Sequence, residues 1–281
     1  MPKVGAHVSA AGSLDLSFNR AEELGAECTQ IFITPPQQWV QISHPEEEIQ
    51  KYRAKAQESG IGPNFIHAVY LVSLATPNQE HLQKSVNWLI YSQKTAEKLG
   101  IGGTIFHIGS YKGTTQEQAI GQVVQAIKAI LSQTGEANLI LENSAGAGNL
   151  IGDTLEELGQ IIKAVNNPRL KVCLDTQHAF ASGYDLRTKE KVEEWVEVIN
   201  REIGVEKLVA IHANDSKTEL GSKKDRHENI GQGYIGLEGF RALINHPKLQ
   251  NVPFILEIPG EAGQGPDKNN VELLKSLWGK G

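Results

Sequence analysis

Eight short apolar runs, rich in β-branched residues, recur along the 281-residue chain. Their starts fall roughly 25 to 45 residues apart, the spacing of strands that alternate with helices in a parallel sheet. Segments with helical periodicity lie between them, including residues 21–24, 86–99, 119–131, 155–165, 192–203 and 271–277. The apolar runs cover residues 4–7, 30–34, 64–67, 104–107, 139–142, 172–175, 208–212 and 254–257.

Eight strand–helix units predict an α/β fold, the closed TIM (β/α)8 barrel, for which about 250 residues is a typical length. An open doubly wound sheet is the alternative. A hydrophobic content of 40% supplies a core for either fold. Because no linker rich in glycine, proline and serine divides the chain, we expect a single domain over residues 1–281.

The charge balance argues against general binding of nucleic acid. Lys and Arg number 27 against 33 Asp and Glu, so the net charge of −6 repels a polyanion unless a local feature reverses it. With no apolar window of about 18 residues and no signal peptide, we expect a cytoplasmic protein without a membrane partner. Cys28 and Cys173 are expected to be buried free thiols.

Apart from His7 at the end of the first run, ionisable residues end six of the eight apolar runs. In a TIM barrel the carboxyl ends of the strands meet at one rim, so these side chains would surround a single cavity. Each alone could be a satisfied polar group, but six together require cations, and this donor mixture favours zinc or a related divalent metal. The six residues are His67, His107, Glu142, Asp175, His212 and Glu257.

Three further donors lie shortly after these run ends. His178 follows Asp175 by three residues, and Asp225 and His227 flank Arg226, so both can point to the same side of an extended chain. Nine protein donors exceed what one tetrahedral ion takes. The pattern therefore predicts two or three metal ions and a hydrolytic site.

Four segments resemble the endonuclease IV family of zinc-dependent apurinic/apyrimidinic (AP) endonucleases, which are TIM barrels. The resemblance covers nearly the whole chain, and the last two segments are highly specific. The segments are 5–13 (GAHVSAAGS), 141–148 (LENSAGAG), 173–185 (CLDTQHAFASGYD) and 211–227 (IHANDSKTELGSKKDRH).

The resemblance implies that the nine donors hold three zinc ions. Glu142 would be shared between the first and second ions, and manganese or iron could replace zinc in one site. The three ligand sets are His67, His107 and Glu142; Asp175, His212 and Glu257; and His178, Asp225 and His227.

The resemblance also implies the reaction, which is hydrolysis of the phosphodiester bond 5′ to an abasic site in double-stranded DNA. The products would be a 3′-hydroxyl and a 5′-deoxyribose phosphate, and blocked 3′ ends would be repaired as well. Glu142 and Glu257 would be the catalytic carboxylates that orient or deprotonate water. Three zinc ions would bring the net charge of −6 to about zero and make the rim attract DNA. We expect a monomer.

Two loops of the family enter DNA at the lesion, and they correspond here to residues after the second and third apolar runs. The resemblance implies DNA contacts by Gln37 and Trp39 in one loop and by Tyr70 and Leu71 in the other. The family frequently has arginine where this chain has Gln37, so one cationic contact is missing. Ordinary loop packing is the alternative interpretation of these residues.

A basic cluster follows the seventh apolar run. Lys217, Lys223, Lys224 and Arg226 would lie at the same rim as the metals and could hold DNA phosphates. A solvated charged loop is the alternative, since exposed lysines are common.

Two other functional classes remain open. Metal-dependent TIM barrels include sugar isomerases and epimerases, and a metal-loaded barrel could bind DNA without cleaving it.

Residues 231–236 match the G-x-G-x-x-G pattern of dinucleotide-binding proteins. The polar segment 225–230 before them is unlike a buried strand, so we predict a glycine-rich loop instead.

Overall fold

The computed structural model describes residues 1–279 and contains a closed parallel barrel. Residues 280 and 281 of the predicted domain lie outside the described residues. The strands are β1 (Val4–His7), β2 (Thr29–Ile31), β3 (Asn64–His67), β4 (Gly103–His107), β5 (Asn138–Glu142), β6 (Leu170–Asp175), β7 (Leu208–His212), β8 (Asp215–Ser216), β9 (His227–Glu228) and β10 (Phe254–Leu256).

The barrel has the order β1-β10-β7-β6-β5-β4-β3-β2 around its circumference, and within residues 1–279 β8 and β9 pair separately as an antiparallel ribbon. Every neighbouring pair in the barrel is parallel, for example Phe65 beside Gln30 and His107 beside Glu142. The predicted TIM barrel is therefore confirmed. The second strand was predicted at residues 30–34, but the apolar run continues past the sheet into a buried loop that includes Ile33.

Helices connect the successive strands. The predicted helical segments are all found, most of them with earlier starts, whereas the predicted ranges do not include α2, α6 and α8. The helices are α1 (Leu16–Leu24), α2 (Glu46–Ser59), α3 (Gln79–Leu99), α4 (Gln116–Ser132), α5 (Leu155–Val165), α6 (Thr176–Ser182), α7 (Lys189–Glu202), α8 (Gly236–Asn245) and α9 (Lys268–Ser276), with 3-10 turns at Val205–Lys207 and Pro247–Leu249.

A small apolar cluster lies directly beneath the rim. Successive side chains of a strand point to opposite faces, so residues two apart share a face. Each of the six predicted metal-binding residues at the run ends stands two positions after a member of this cluster. We call the cluster the apolar floor, because those six residues lie directly above it. The cluster consists of Cys28, Phe65, Ile105, Ile140, Cys173, Ala210 and Ile255.

The two cysteines are buried in this floor as free thiols. Cys28 and Cys173 are both fully buried and form no disulfide. Burial raises the pKa of each thiol to about 12. Strand β1 supplies Gly5 at this level, because a Cβ atom there would lie 1.9 Å from the carbonyl oxygen of Cys28.

The glycine-rich segment 231–236 wraps around the buried carboxylate of Asp215. The backbone N–H groups of Gly231, Gly233, Ile235 and Gly236 donate to it over 2.9–3.2 Å. A Cβ atom on Gly233 would lie 2.4 Å from the carbonyl oxygen of Ser216. The glycines therefore serve close backbone approach to an internal anion, which anchors the ribbon of β8 and β9.

We expect Asp215→Ala to destabilise the fold by about 3–5 kcal/mol, because several buried N–H donors would lose their acceptor at once. Urea denaturation in the presence of a chelator measures this change without a contribution from bound metal. Asp185→Ala is the control, since the partly exposed Asp185 pairs with Arg187 at the surface and its loss should cost under about 1 kcal/mol. Equal effects of the two substitutions would contradict the anchoring role.

None of the helices within residues 1–279 is long and apolar enough to cross a membrane.

Candidate metal centre

The strand ends bring the predicted donors together at one rim. His67, His107, Glu142, Asp175 and His212 are the last residues of β3 to β7, and Glu257 directly follows β10. Four of them, His67, His107, Glu142 and Glu257, line a cavity of about 430 Å³ together with His178, Asp225 and His227. Asp175 and His212 are fully buried next to these residues and do not line the cavity. The potential ligand atoms form three groups. Within each group, all the atoms lie within 4.8 Å of one another.

The first group contains His67, His107 and Glu142. The carboxylate oxygen Oε2 of Glu142 lies 3.1 Å from Nε2 of His67 and 3.6 Å from Nδ1 of His107. The Glu142 side chain is fully buried, whereas that of His107 is 35% exposed. This group is therefore open to the cavity on the His107 side.

The second group contains Glu142, Asp175, His212 and Glu257. Nδ1 of His212 lies 3.0 Å from Oε1 of Glu142, 3.0 Å from Oε2 of Glu257 and 4.0 Å from Oδ2 of Asp175. Since Oε2 of Glu142 faces the first group and Oε1 faces the second, this carboxylate lies between the two.

The third group contains Asp175, His178 and His227. Asp225 is next to it, with its carboxylate 3.3 Å from Nε2 of His178 and 3.4 Å from Nε2 of His227. The sequence therefore predicted these neighbours, including the convergence of Asp225 and His227. It missed that Asp175, assigned to the second set alone, lies 3.6 Å from Nε2 of His227 and faces the third group as well.

Backbone carbonyls fix three of the imidazoles. The Nδ1 atoms of His67, His178 and His227 lie 2.8–3.0 Å from the carbonyl oxygens of Ala68, Asn143 and Glu257, respectively. A nitrogen that donates to a carbonyl leaves the other ring nitrogen unprotonated in the neutral imidazole, so Nε2 of each ring faces the cavity as a lone-pair donor.

Two buried asparagines that the sequence reasoning missed hold Asp175. Asn143 brackets its backbone, accepting from the N–H of Asp175 and donating to its carbonyl. Asn214 donates to its carboxylate over 2.7 Å and accepts from the N–H of Glu257 over 2.8 Å. Asn143 directly follows Glu142, and Asn214 stands two residues after His212. This closeness to a strand end is the sequence signal that could have identified them.

The carboxylates and imidazoles perturb one another strongly. Burial would lower the pKa of His178, but Asp175 and Asp225 raise it to about 10. Burial would raise the pKa of Glu142, yet His107 and His212 hold it well below its usual range. The four carboxylates of this site thus favour positive charge in the cavity.

The donor set fits divalent cations of the zinc type. Five imidazoles and four carboxylates match the ligands that such ions take. Nε2 of His227 is buried and has no hydrogen-bond partner among the described residues. A buried unpartnered nitrogen is uncommon, and a bound cation would satisfy it.

The two loops predicted to contact DNA are joined above the cavity. The backbone N–H of Tyr70 donates to the carbonyl of Pro36 over 2.9 Å, and the Tyr70 ring packs edge-on against Phe32. The Tyr70 side chain is 59% exposed and lines the cavity. Leu71 is half-buried and lines an adjoining cavity of about 610 Å³.

The other predicted DNA contacts lie farther out. Gln37 is exposed, whereas Trp39 is half-buried, with its ring centre 5.5 Å from that of His81. The basic cluster is entirely exposed and lies in the loop between β8 and β9, beside the third group. Its members are Lys217, Lys223, Lys224 and Arg226.

Known proteins resemble this chain over its full length. A family model described as "Xylose isomerase-like TIM barrel" matches residues 18–277. "Probable endonuclease 4" from Sulfurihydrogenibium sp. (strain YO3AOP1) is 41% identical over 280 residues, which are 99% of this chain and 99% of that protein.

Solved structures also resemble this chain over its full length. Endonuclease IV from Thermus thermophilus superposes with a TM-score of 0.87 at 31% identity, covering 100% of both chains. A xylose isomerase domain protein from Planctomyces limnophilus has a TM-score of 0.71 at 18% identity, covering 99% of this chain and 97% of that one. At such low identity the second likeness shows the fold alone.

Proposed function

The chain belongs to the endonuclease IV family of xylose isomerase-like TIM barrels, and on that premise we propose that it hydrolyses the phosphodiester bond 5′ to an abasic site in double-stranded DNA. It is a metal-dependent DNA-repair nuclease by family membership. The products would be a 3′-hydroxyl and a 5′-deoxyribose phosphate, and the same site would remove blocking groups from 3′ ends.

One observation carries the proposal, namely the convergence of nine imidazole and carboxylate donors at one rim of the barrel, where seven of them line a single open cavity. We assign the donors to three zinc ions, with manganese or iron able to replace one of them. Glu142 would be shared by the first and second ions, and Asp175 faces both the second and the third group. Ions held in this way would activate water, polarise the phosphate and stabilise the leaving oxygen.

The chain's own carboxylates differ in their access to the reacting atoms. Glu142 has no exposed side-chain surface, whereas the Glu257 side chain is 17% exposed toward the cavity. A group that takes a proton from the attacking water must reach that water. We therefore assign proton acceptance to Glu257 and the holding of two ions to Glu142.

Recognition of the lesion would fall to the joined loops. Tyr70, exposed above the cavity, is suited to enter the space left by a missing base, with Leu71 beside it. Gln37 and Trp39 would contact the adjoining DNA strand. The basic cluster of the β8–β9 loop would hold DNA phosphates, and its members are Lys217, Lys223, Lys224 and Arg226. The barrel accounts for residues 1–279, and we propose that this single domain acts as a monomer.

The test uses a labelled duplex carrying one tetrahydrofuran abasic analogue, which cannot undergo β-elimination. We expect zinc-loaded protein to incise it once on the 5′ side, to leave a 3′-hydroxyl that a polymerase extends, and to spare the undamaged duplex. Absence of incision by fully loaded protein would contradict the proposal. In that case, turnover of ketoses or aldoses by the same preparation would indicate a sugar isomerase instead.

A further inference from the structure

Gln30 occupies a position on β2 equivalent to that of the metal-binding residues on the other strands. It stands two residues after Cys28, a member of the apolar floor, just as His67 stands two residues after Phe65. Its side chain is fully buried and lies beside His7 of β1 in the sheet register. The sequence concealed this position because the predicted second run ended at residue 34, beyond the true strand.

The amide of Gln30 bonds two donors of the second group at once. Its Oε1 lies 2.8 Å from Nε2 of His212, and its Nε2 lies 2.5 Å from Oε1 of Glu257. The same Nε2 is 2.9 Å from Nδ1 of His7, which in turn is 3.0 Å from Oε1 of Glu257. Gln30 thus reaches from β2 to His212 of β7 and to Glu257 directly after β10, two strands that do not neighbour β2 in the barrel.

The orientation of this amide follows from the chemistry of its partners. A carboxylate only accepts, so the amide nitrogen must face Glu257 and the amide oxygen must face His212. His212 then donates from Nε2, which leaves Nδ1 unprotonated in the neutral ring. Nδ1 is the atom that lies 3.0 Å from both Glu142 and Glu257.

This arrangement differs from that of the other fixed imidazoles. His67, His178 and His227 are oriented by backbone carbonyls, which no substitution removes. His212 depends on a side chain. Such outer contacts set the tautomer and direction of a ligand, and their loss typically weakens metal binding or activity roughly 10- to 100-fold.

We propose that Gln30 is a positioning residue that orients the His212 imidazole and the Glu257 carboxylate toward an ion in the second group. The inference rests on the proposed function only in taking these donors as a metal site. It requires no nuclease activity.

The test compares Gln30→Met with Gln93→Met. Methionine keeps the length of glutamine and removes both amide contacts. Gln93 is equally buried, but its amide donates to the carbonyl of Asn138, away from the rim. Zinc affinity is measured by competition with a colorimetric chelator, and the visible spectrum of the cobalt-substituted protein reports on the ligand geometry.

We expect Gln30→Met to bind one zinc ion roughly 10- to 100-fold more weakly than the wild type and to show an altered cobalt spectrum. Gln93→Met should keep the affinity and spectrum of the wild type, with only a lower melting temperature. Wild-type zinc affinity in Gln30→Met would overturn the proposal. Loaded wild-type protein that binds zinc but cuts no abasic DNA would contradict the nuclease function while leaving this comparison valid.

A measurement on the wild-type protein covers the case in which Gln30→Met does not fold. Long-range ¹H–¹⁵N correlation with histidine-selective labelling identifies the tautomer of each ring in the zinc-loaded protein. His212 should carry its proton on Nε2, opposite to the Nδ1–H form expected of His67, His178 and His227. A proton on Nδ1 of His212 would exclude the assigned role of Gln30.

Discussion

Glu142→Gln should reduce incision of abasic DNA by at least about 1000-fold, equivalent to about 4 kcal/mol of transition-state stabilisation. The reason is that one carboxylate oxygen faces His67 and His107 while the other faces His212. An amide has nearly the same shape but no charge, and its NH2 group would face nitrogens that must act as donors to a cation. Two groups would therefore be damaged by one substitution, and bound zinc should fall by more than one ion per chain.

The matched control is Glu48→Gln. Glu48 also contacts an imidazole, since its Oε2 lies 2.9 Å from Nδ1 of His44, but the pair lies between the β2–α2 loop and α2. We expect this control to retain wild-type zinc content and incision rate. Circular dichroism should show a folded barrel for both variants, because β5 keeps its full register with β4 and β6. Unchanged incision by Glu142→Gln would refute its shared position between two ions.

The strand ends could be predicted because polarity and periodicity change at the same residue. Val4–His7, Asn64–His67 and Leu208–His212 have the predicted bounds. Their apolar residues pack in the barrel, and their final histidine lies at the rim that holds the donors. The rule failed on β2, because a buried loop residue such as Ile33 looks like a strand residue in the sequence.

Two of the helices for which no range was predicted, α2 and α6, lack the usual pattern for different reasons. In α2 only Ile49 and Tyr52 are buried, so its apolar stripe is too sparse to be recognised. In α6 the residues from Thr176 to Ala181 are all buried, so no polar face reveals a helical period. Its start is nevertheless encoded, because the Asp175 carboxylate accepts from the backbone N–H of His178 over 3.0 Å and caps the first turn.

The site could be predicted only as far as its charged residues. Carboxylates and imidazoles are conspicuous in a sequence, whereas Gln30, Asn143 and Asn214 look like ordinary polar residues. Their roles arise from contacts between residues far apart in the chain, such as Gln30 with His212. Local periodicity carries no information about such pairs. The sharing of Asp175 between two groups was hidden for the same reason.

Removal of metal should abolish tight binding of abasic DNA as well as its cleavage. The four carboxylates of the site lie at the rim that DNA would approach, in a chain whose net charge is already −6. Without cations these carboxylates repel phosphates, because protonated imidazoles such as His178, whose pKa Asp175 and Asp225 raise to about 10, neutralise them only in part. Three divalent ions would reverse the sign of the local charge, and juxtaposed like charges cost several kcal/mol in an interface.

We therefore expect chelation to raise the dissociation constant for a tetrahydrofuran duplex by at least about 100-fold, or about 2.7 kcal/mol. Fluorescence anisotropy at constant ionic strength measures this change. It separates binding from cleavage when the scissile linkage is a methylene phosphonate, in which CH2 replaces the 3′ bridging oxygen and cannot leave. Zinc added back should restore the affinity, and circular dichroism should exclude unfolding as the cause. If the chelated protein bound the lesion as tightly as the loaded one, Tyr70 and the basic cluster would suffice for binding. The cations would then act in the chemical step alone, because the exposed lysines of the β8–β9 loop would already outweigh the carboxylates beneath them.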